Sequence, residues 1–111
     1  MKPSYKLLLA AAIAGSLVGP VALANCRLPS APSKIPDGAT ASEQQMITAM
    51  QTIKEYNRDV QTYMKCLDFE VRQNRLTPGD QVNLHNTALS ELREIATEFN
   101  RQVRIFKSKH S

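Results

Sequence analysis

The sequence predicts an all-α protein: a long antiparallel two-helix hairpin with an N-terminal Pro-rich strap tied by one disulfide. Three observations lead there. Two heptad runs of mostly apolar residues, each sustained over about 25 positions, are separated by a short Asn-Arg-Leu-Thr-Pro-Gly-Asp break. No two-residue strand alternation competes with them. A stretch dense in proline lies ahead of the first run, and the chain holds two cysteines, one in that stretch and one in the first run.

The first 24 residues read as an export signal. Lys2 and Lys6 form a basic start, residues 7–18 form a 12-residue apolar core, and Ala22-Leu23-Ala24 supplies small residues for cleavage before Asn25. The core is too short to stay in a bilayer as a spanning helix, and no other stretch is apolar enough to do so. A lipoprotein, with Cys26 lipidated, is the alternative, but Asn25 is a poor residue for such a box and Cys66 would be left as an odd thiol. The expected destination is the periplasm or the exterior. Cleavage leaves 87 residues with 12 basic and 10 acidic side chains. That near balance weakens the case for a polyanion partner that the whole-chain pI near 9.3 suggests.

Residues 25–40 form the expected strap. Pro29, Pro32, Pro36 and Gly38 exclude helix and favour extended polyproline geometry, with a turn at Pro36-Asp37-Gly38. The hairpin is expected over residues 41–109. Helix one, about 41–74, opens on a capping box, either Thr40-x-x-Glu43 or Ser42-x-x-Gln45. Its coiled-coil seam reads Met46, Met50, Ile53, Asn57, Val60, Met64, Leu67, Val71. Helix two, about 78–107, has Thr77 as N-cap, Pro78 at the first position and Asp80 at the third. Its seam reads Val82, His85, Leu89, Leu92, Ala96, Phe99, Val103, Phe106. Antiparallel pairing brings Asn57 near Ala96, either as a register-fixing polar residue or as a tolerated one at a wet seam.

One flank of the hairpin carries Ala49, Tyr56, Tyr63 and Cys66 from helix one with Ala88 and Ile95 from helix two. This is a tyrosine-lined groove. Cys66 lies about 37 Å along helix one at 1.5 Å per residue. Fifteen extended residues reach about 46 Å. The strap is therefore long enough to run back along the groove, over Tyr56, Tyr63 and Ile95, and join Cys26 to Cys66. In an oxidising compartment two cysteines pair by default, and a small domain with little core needs the staple.

The opposite flank carries Lys54, Arg58, Lys65, Arg72 and Arg75 on helix one, joined by Arg93 and Lys107 from helix two. Asp68 is the main acid there. Such a stripe suits an anionic envelope component or an acidic protein. Nucleic acid is not expected, since no aromatics interleave these charges and the compartment is wrong. Signals for chemistry are absent. His85 and His110 lack a partner at ligand spacing, and the methionines fall on the seam. No phosphate loop or nucleophile constellation appears. We expect no catalytic residues, no metal and no cofactor. Glu94 with Glu98, and Glu55 with Asp59, read as solvated ridges.

The joint pattern Cys26-x-x-Pro29, Ile35-Pro36-Asp37-Gly38, Met46, Tyr56 and Tyr63-x-x-Cys66-Leu67 resembles a group of small exported proteobacterial proteins of unknown function. It covers the strap and helix one, about half of the processed chain. The resemblance implies export and this architecture, and brings no activity or site residue with it. The expectation is a non-enzymatic envelope binding or scaffolding protein working through its basic face. An ATP-independent chaperone is the alternative, and a metal carrier is less favoured. The strap favours a monomer over a homodimeric four-helix bundle, because it covers the tyrosine groove.

Overall fold

The computed structural model describes residues 26–111. The export segment expected at 1–24 and its cleavage point lie outside them. The described residues are all-helical, with two helices packed against each other as a hairpin and no strand. Helix α1 spans Glu43–Arg72 and α2 spans Pro78–Lys109.

Each helix begins where local chemistry satisfies its first N–H groups. Of the two capping boxes in the sequence, the later one forms. Ser42 Oγ accepts from Gln45 N at 3.1 Å, and Gln45 Oε1 accepts from Ser42 N at 2.8 Å. Thr77 Oγ1 accepts from Asp80 N at 3.0 Å, with Pro78 following in the position where its missing N–H costs nothing. At its far end α2 is capped by His110 rather than fraying. The His110 ring stacks on Phe106 with centroids 4.0 Å apart, and its Nδ1 is 2.8 Å from the Phe106 carbonyl oxygen.

The turn between the helices is a Schellman motif built without glycine. Asn74 takes the left-handed conformation, φ 60°. The Asn74 N–H donates to Val71 O at 2.9 Å and the Arg75 N–H to Glu70 O at 2.9 Å, so two terminal carbonyls of α1 are satisfied. Glu70 and Arg75 occupy the two positions that ordinarily make an apolar contact in this motif. Here they form a two-pronged ion pair, Arg75 Nε to Glu70 Oε1 at 2.8 Å and Arg75 Nη2 to Glu70 Oε2 at 2.9 Å. The motif holds the chain reversal.

The core is Tyr56, Val60, Tyr63 and Leu67 of α1 with Ala88 of α2, supported by Cys26, Met64, Leu76, Leu84, Leu92 and Ile95. This stripe keeps Met46, Val60 and Leu67 of the expected seam buried and departs from it elsewhere. Of the expected α1 positions, Met50 and Asn57 are exposed, and Met64 and Val71 are only half-buried. The buried run is Tyr56, Val60, Tyr63, Leu67, Glu70. In α2 it is Ala88 and Gln102 that are buried, not the neighbouring Leu89 and Val103. Burial on both helices is shifted toward the tyrosine flank, by less than the 100° between successive residues. Asn57 is thus a solvent residue and does not set register from within the core.

Residues 26–42 contain neither helix nor strand. Cys26 is bonded to Cys66, with their Cα atoms 5.5 Å apart and 40 positions between them in sequence. Closing a loop of that length removes entropy from the unfolded chain worth roughly 4 kcal/mol. Cys66→Ala is expected to lower unfolding free energy by about 2–5 kcal/mol in urea titrations under oxidising conditions. At the turn, Asn74→Val should cost about 1–2 kcal/mol, because a β-branched residue is strained in the left-handed region, whereas Asn74→Gly should stay near the parent value.

Candidate functional site

The two flanks of the hairpin differ in what covers them. On the first, Cys26, Arg27 and Pro29 share a groove with Asp59, Thr62, Tyr63 and Cys66. Farther toward the start of α1, Pro32, Lys34 and Pro36 line a larger groove of about 680 Å³ with Gln45, Thr48, Ala49, Thr52 and Ile53. Gly38 then reaches α2. Its N–H donates to Gln102 Oε1 at 2.7 Å. A Cβ at Gly38 would collide with the Gln102 carbonyl oxygen and lie 2.9 Å from Phe106 N. Glycine is required here for close approach, not for an unusual φ.

Asp37 shapes the turn that presents Gly38. Its carbonyl accepts from Thr40 N at 3.1 Å and Ala41 N at 2.8 Å, and its Oδ1 accepts from Ala39 N at 2.9 Å. Gln102 is anchored in turn, donating to Glu98 Oε2 at 2.8 Å, while Arg101 pairs with the same carboxylate at 2.7 Å. Hydrogen bonds from Arg101, then from Gln102, hold the Glu98 carboxyl below its usual range. Tyr56 and Tyr63 are buried, and Ile95 is half-buried against them. The Tyr56 hydroxyl is enclosed, with the Glu91 carboxylate beside it. Burial first and the nearby Glu91 charge second push its pKa up, and burial alone pushes Tyr63 up.

The second flank carries the cations. Lys54, Arg58, Lys65, Arg93 and Lys107 are exposed and make no ion pair among the described residues. Arg72 and Arg75 behave differently. Arg72 is exposed but bound to Asp68 at 2.7 Å. Asp68 also accepts from Gln81 Nε2 at 3.2 Å, and the Gln81 and Arg72 hydrogen bonds lower its pKa. Arg75 is committed to Glu70, whose side chain is 2% exposed, and its guanidinium also lies 5.7 Å from the centre of the exposed Phe69 ring. The basic surface is therefore five free cations on two helices, with Arg72 at its edge and Arg75 assigned to the hairpin turn.

Sequence spacing placed Arg75 in the stripe because helical periodicity was carried past the end of α1. The helix stops at Arg72, and beyond it the i, i+5 relation of Glu70 to Arg75 becomes a contact across the turn. Asn74 before Arg75 was the available signal. The Gly38–Gln102 contact had none, since a glycine in a proline-rich stretch accounts for itself as a turn residue.

Among the described residues no three His, Cys, Asp or Glu side chains gather as metal donors, and no helix is long and apolar enough to cross a membrane. No protein-family model, curated protein or solved structure matches the chain.

Two measurements follow from this geometry. Gly38→Ala should cost about 1–3 kcal/mol, the usual range for forcing a methyl into a packed contact, read as a fall in the denaturation midpoint. The depressed Glu70 and Glu98 carboxyls give stability that is complete above their ordinary pKa of 4.5 and is lost as pH falls below it. The raised Tyr56 and Tyr63 hydroxyls give stability that is complete below their ordinary value of 10.0 and is lost as pH rises above it. Thermal midpoints across the pH range should decline at both ends, and Glu70→Gln should flatten the acid limb.

Proposed function

We propose that this is an exported, non-enzymatic envelope protein whose second flank binds an anionic envelope component, while residues 26–42 serve as a strap over the first. The single observation that carries the binding reading is the segregation of charge. Five unpaired cations share the flank away from Cys26. On the other side the charges are mixed, with Asp59, Glu91 and Glu98 accompanied by Arg27, Lys34 and Arg101, so the excess of cations lies on one flank. A net charge spread evenly has no such direction, but a sorted one orients the molecule in the field of an anionic surface.

The strap reading rests on two anchors. The cystine fixes one end of residues 26–42 within two turns of the end of α1, and the Gly38–Gln102 contact fixes the other near the end of α2. A cystine in a small domain suits an oxidising compartment, which agrees with the export signal. The resemblance to small exported proteobacterial proteins points the same way. A chaperone that holds unfolded clients is the second reading, favoured by the exposed side chains of Met50, Phe69 and Val82.

The test is co-sedimentation with anionic vesicles, lipopolysaccharide and purified cell wall, each at low and high salt. Binding at low salt to at least one, weakened as salt rises, is expected. Reversal of Lys54, Arg58 and Lys65 to Glu should abolish it while helical content and thermal midpoint stay near the parent values. Binding to none of the three, or equal binding by the triple variant, overturns the reading. Suppression of client aggregation without any anionic binding would favour the chaperone.

A further inference from the structure

The cations do not stand alone on their flank. With burial shifted toward the tyrosine side, the rest of the expected seam, Met50, Met64, Val82, Leu89, Phe99 and Val103 with the polar Asn57 and His85 among them, forms a largely apolar band between the two basic rows. Met50 is 38% exposed and Val82 is 54% exposed. Met64, Leu89, Phe99 and Val103 along the same side are half-buried. Near the turn, Met64, Val82 and His85 line a groove of about 460 Å³ whose rim includes Lys65. On α1 this groove and the one beside Cys26 lie on opposite sides of the buried Tyr56–Leu67 stripe. Lys54, Arg58 and Lys65 border the band on α1, and Arg93 and Lys107 border it on α2.

An apolar strip edged on both sides by Lys and Arg has the form of a surface that lies in a membrane interface. The strip enters the boundary between headgroups and acyl chains, and the cations reach out to the phosphates. A second copy of the chain is the obvious competitor for an open helix pair, and the charges speak against it. In a two-fold four-helix bundle the basic rows meet basic rows, with Asp68 as the acid available on this side and already held by Arg72 and Gln81. Like charges brought together in this way destabilise an association. An anionic surface removes that repulsion and supplies the partner for every cation.

We infer that this band is an insertion surface for an anionic phospholipid leaflet, with Met50 and Val82 entering the acyl boundary and the two basic rows paired to headgroup phosphates. The inference rests on the anionic-binding reading above and adds to it an apolar component that salt does not screen. Electrostatic docking alone is released completely as the Debye length shrinks, whereas inserted apolar area is not.

The test uses the oxidised protein and two vesicle types, one containing phosphatidylglycerol and one of phosphatidylcholine alone. Binding to the phosphatidylglycerol vesicles should persist in part at high salt. Val82→Trp should show a blue-shifted emission on these vesicles and quenching by brominated acyl chains. Met50→Glu combined with Val82→Glu should lower partitioning at least about tenfold, since neither side chain can then enter the acyl boundary. Both sites are exposed, so the fold tolerates the change, and unaltered helical content checks this. Complete release by salt with no quenching of Val82→Trp defeats insertion and leaves electrostatic binding standing. Binding to lipopolysaccharide or cell wall but to neither vesicle does the same. A dimer at micromolar concentration that Val82→Glu dissociates assigns the band to a second copy and overturns the inference. Failure to bind any anionic material removes this inference and the reading beneath it together.

Discussion

Two α-helices lying side by side touch along one stripe and leave a flank open on each side of it. For a hairpin of 30- and 32-residue helices, that contact alone buries too little apolar surface to offset the entropy of ordering the chain. The constraint is answered on one flank. The buried stripe joins the seam residues Val60 and Leu67 to Tyr56 and Tyr63 on the side of the cystine, and leaves the seam residues Met50 and Asn57 outside. The shift of burial on both helices follows. Burying aromatic area beside a covalent tether yields more than burying Met50 and Asn57 against a partner helix alone.

The same constraint explains where polar groups are tolerated inside. Glu70 and Gln102 are buried, at opposite ends of the molecule, and each is fully engaged. Glu70 receives both prongs of Arg75 and closes the turn. Gln102 accepts from Gly38 and donates to Glu98, so it both holds residues 26–42 and is itself held. A buried amide placed between a backbone N–H and a carboxylate leaves none of its function to be desolvated without return. These two sites close the ends of the hairpin, and the Tyr56–Leu67 cluster fills the length between them. Among the described residues the opposite flank carries cations along its edges and moderate apolar side chains between.

The helical hairpin and the cystine were legible in the sequence because their signals are local or covalent. Thr77-Pro78-x-Asp80 marks a helix start by hydrogen-bond chemistry alone, and two cysteines allow one pairing. Heptad periodicity places helices but defines their inward direction only to within a neighbouring row. With Tyr56 and Tyr63 one row away from Asn57 and Met64, the direction depended on a third segment, whose contribution spacing cannot weigh. The basic stripe was legible as far as helical geometry extends. Lys54, Arg58 and Lys65 lie within α1, whereas Arg75 lies beyond its end, where the chain has already turned. The approach of Gly38 to the α2 backbone spans 64 positions in sequence and left no periodic trace.

The central proposal is that residues 26–42 close one flank under the cystine while the other stays open. Hydroxyl-radical footprinting of the oxidised and the reduced protein, read residue by residue, tests it in one measurement. Tyr63 should be protected in the oxidised protein and become reactive when the cystine is reduced, while Met50 and Val82 react in both states. Equal reactivity of Tyr63 before and after reduction, or protection of Met50 and Val82 in the oxidised protein, would contradict the account.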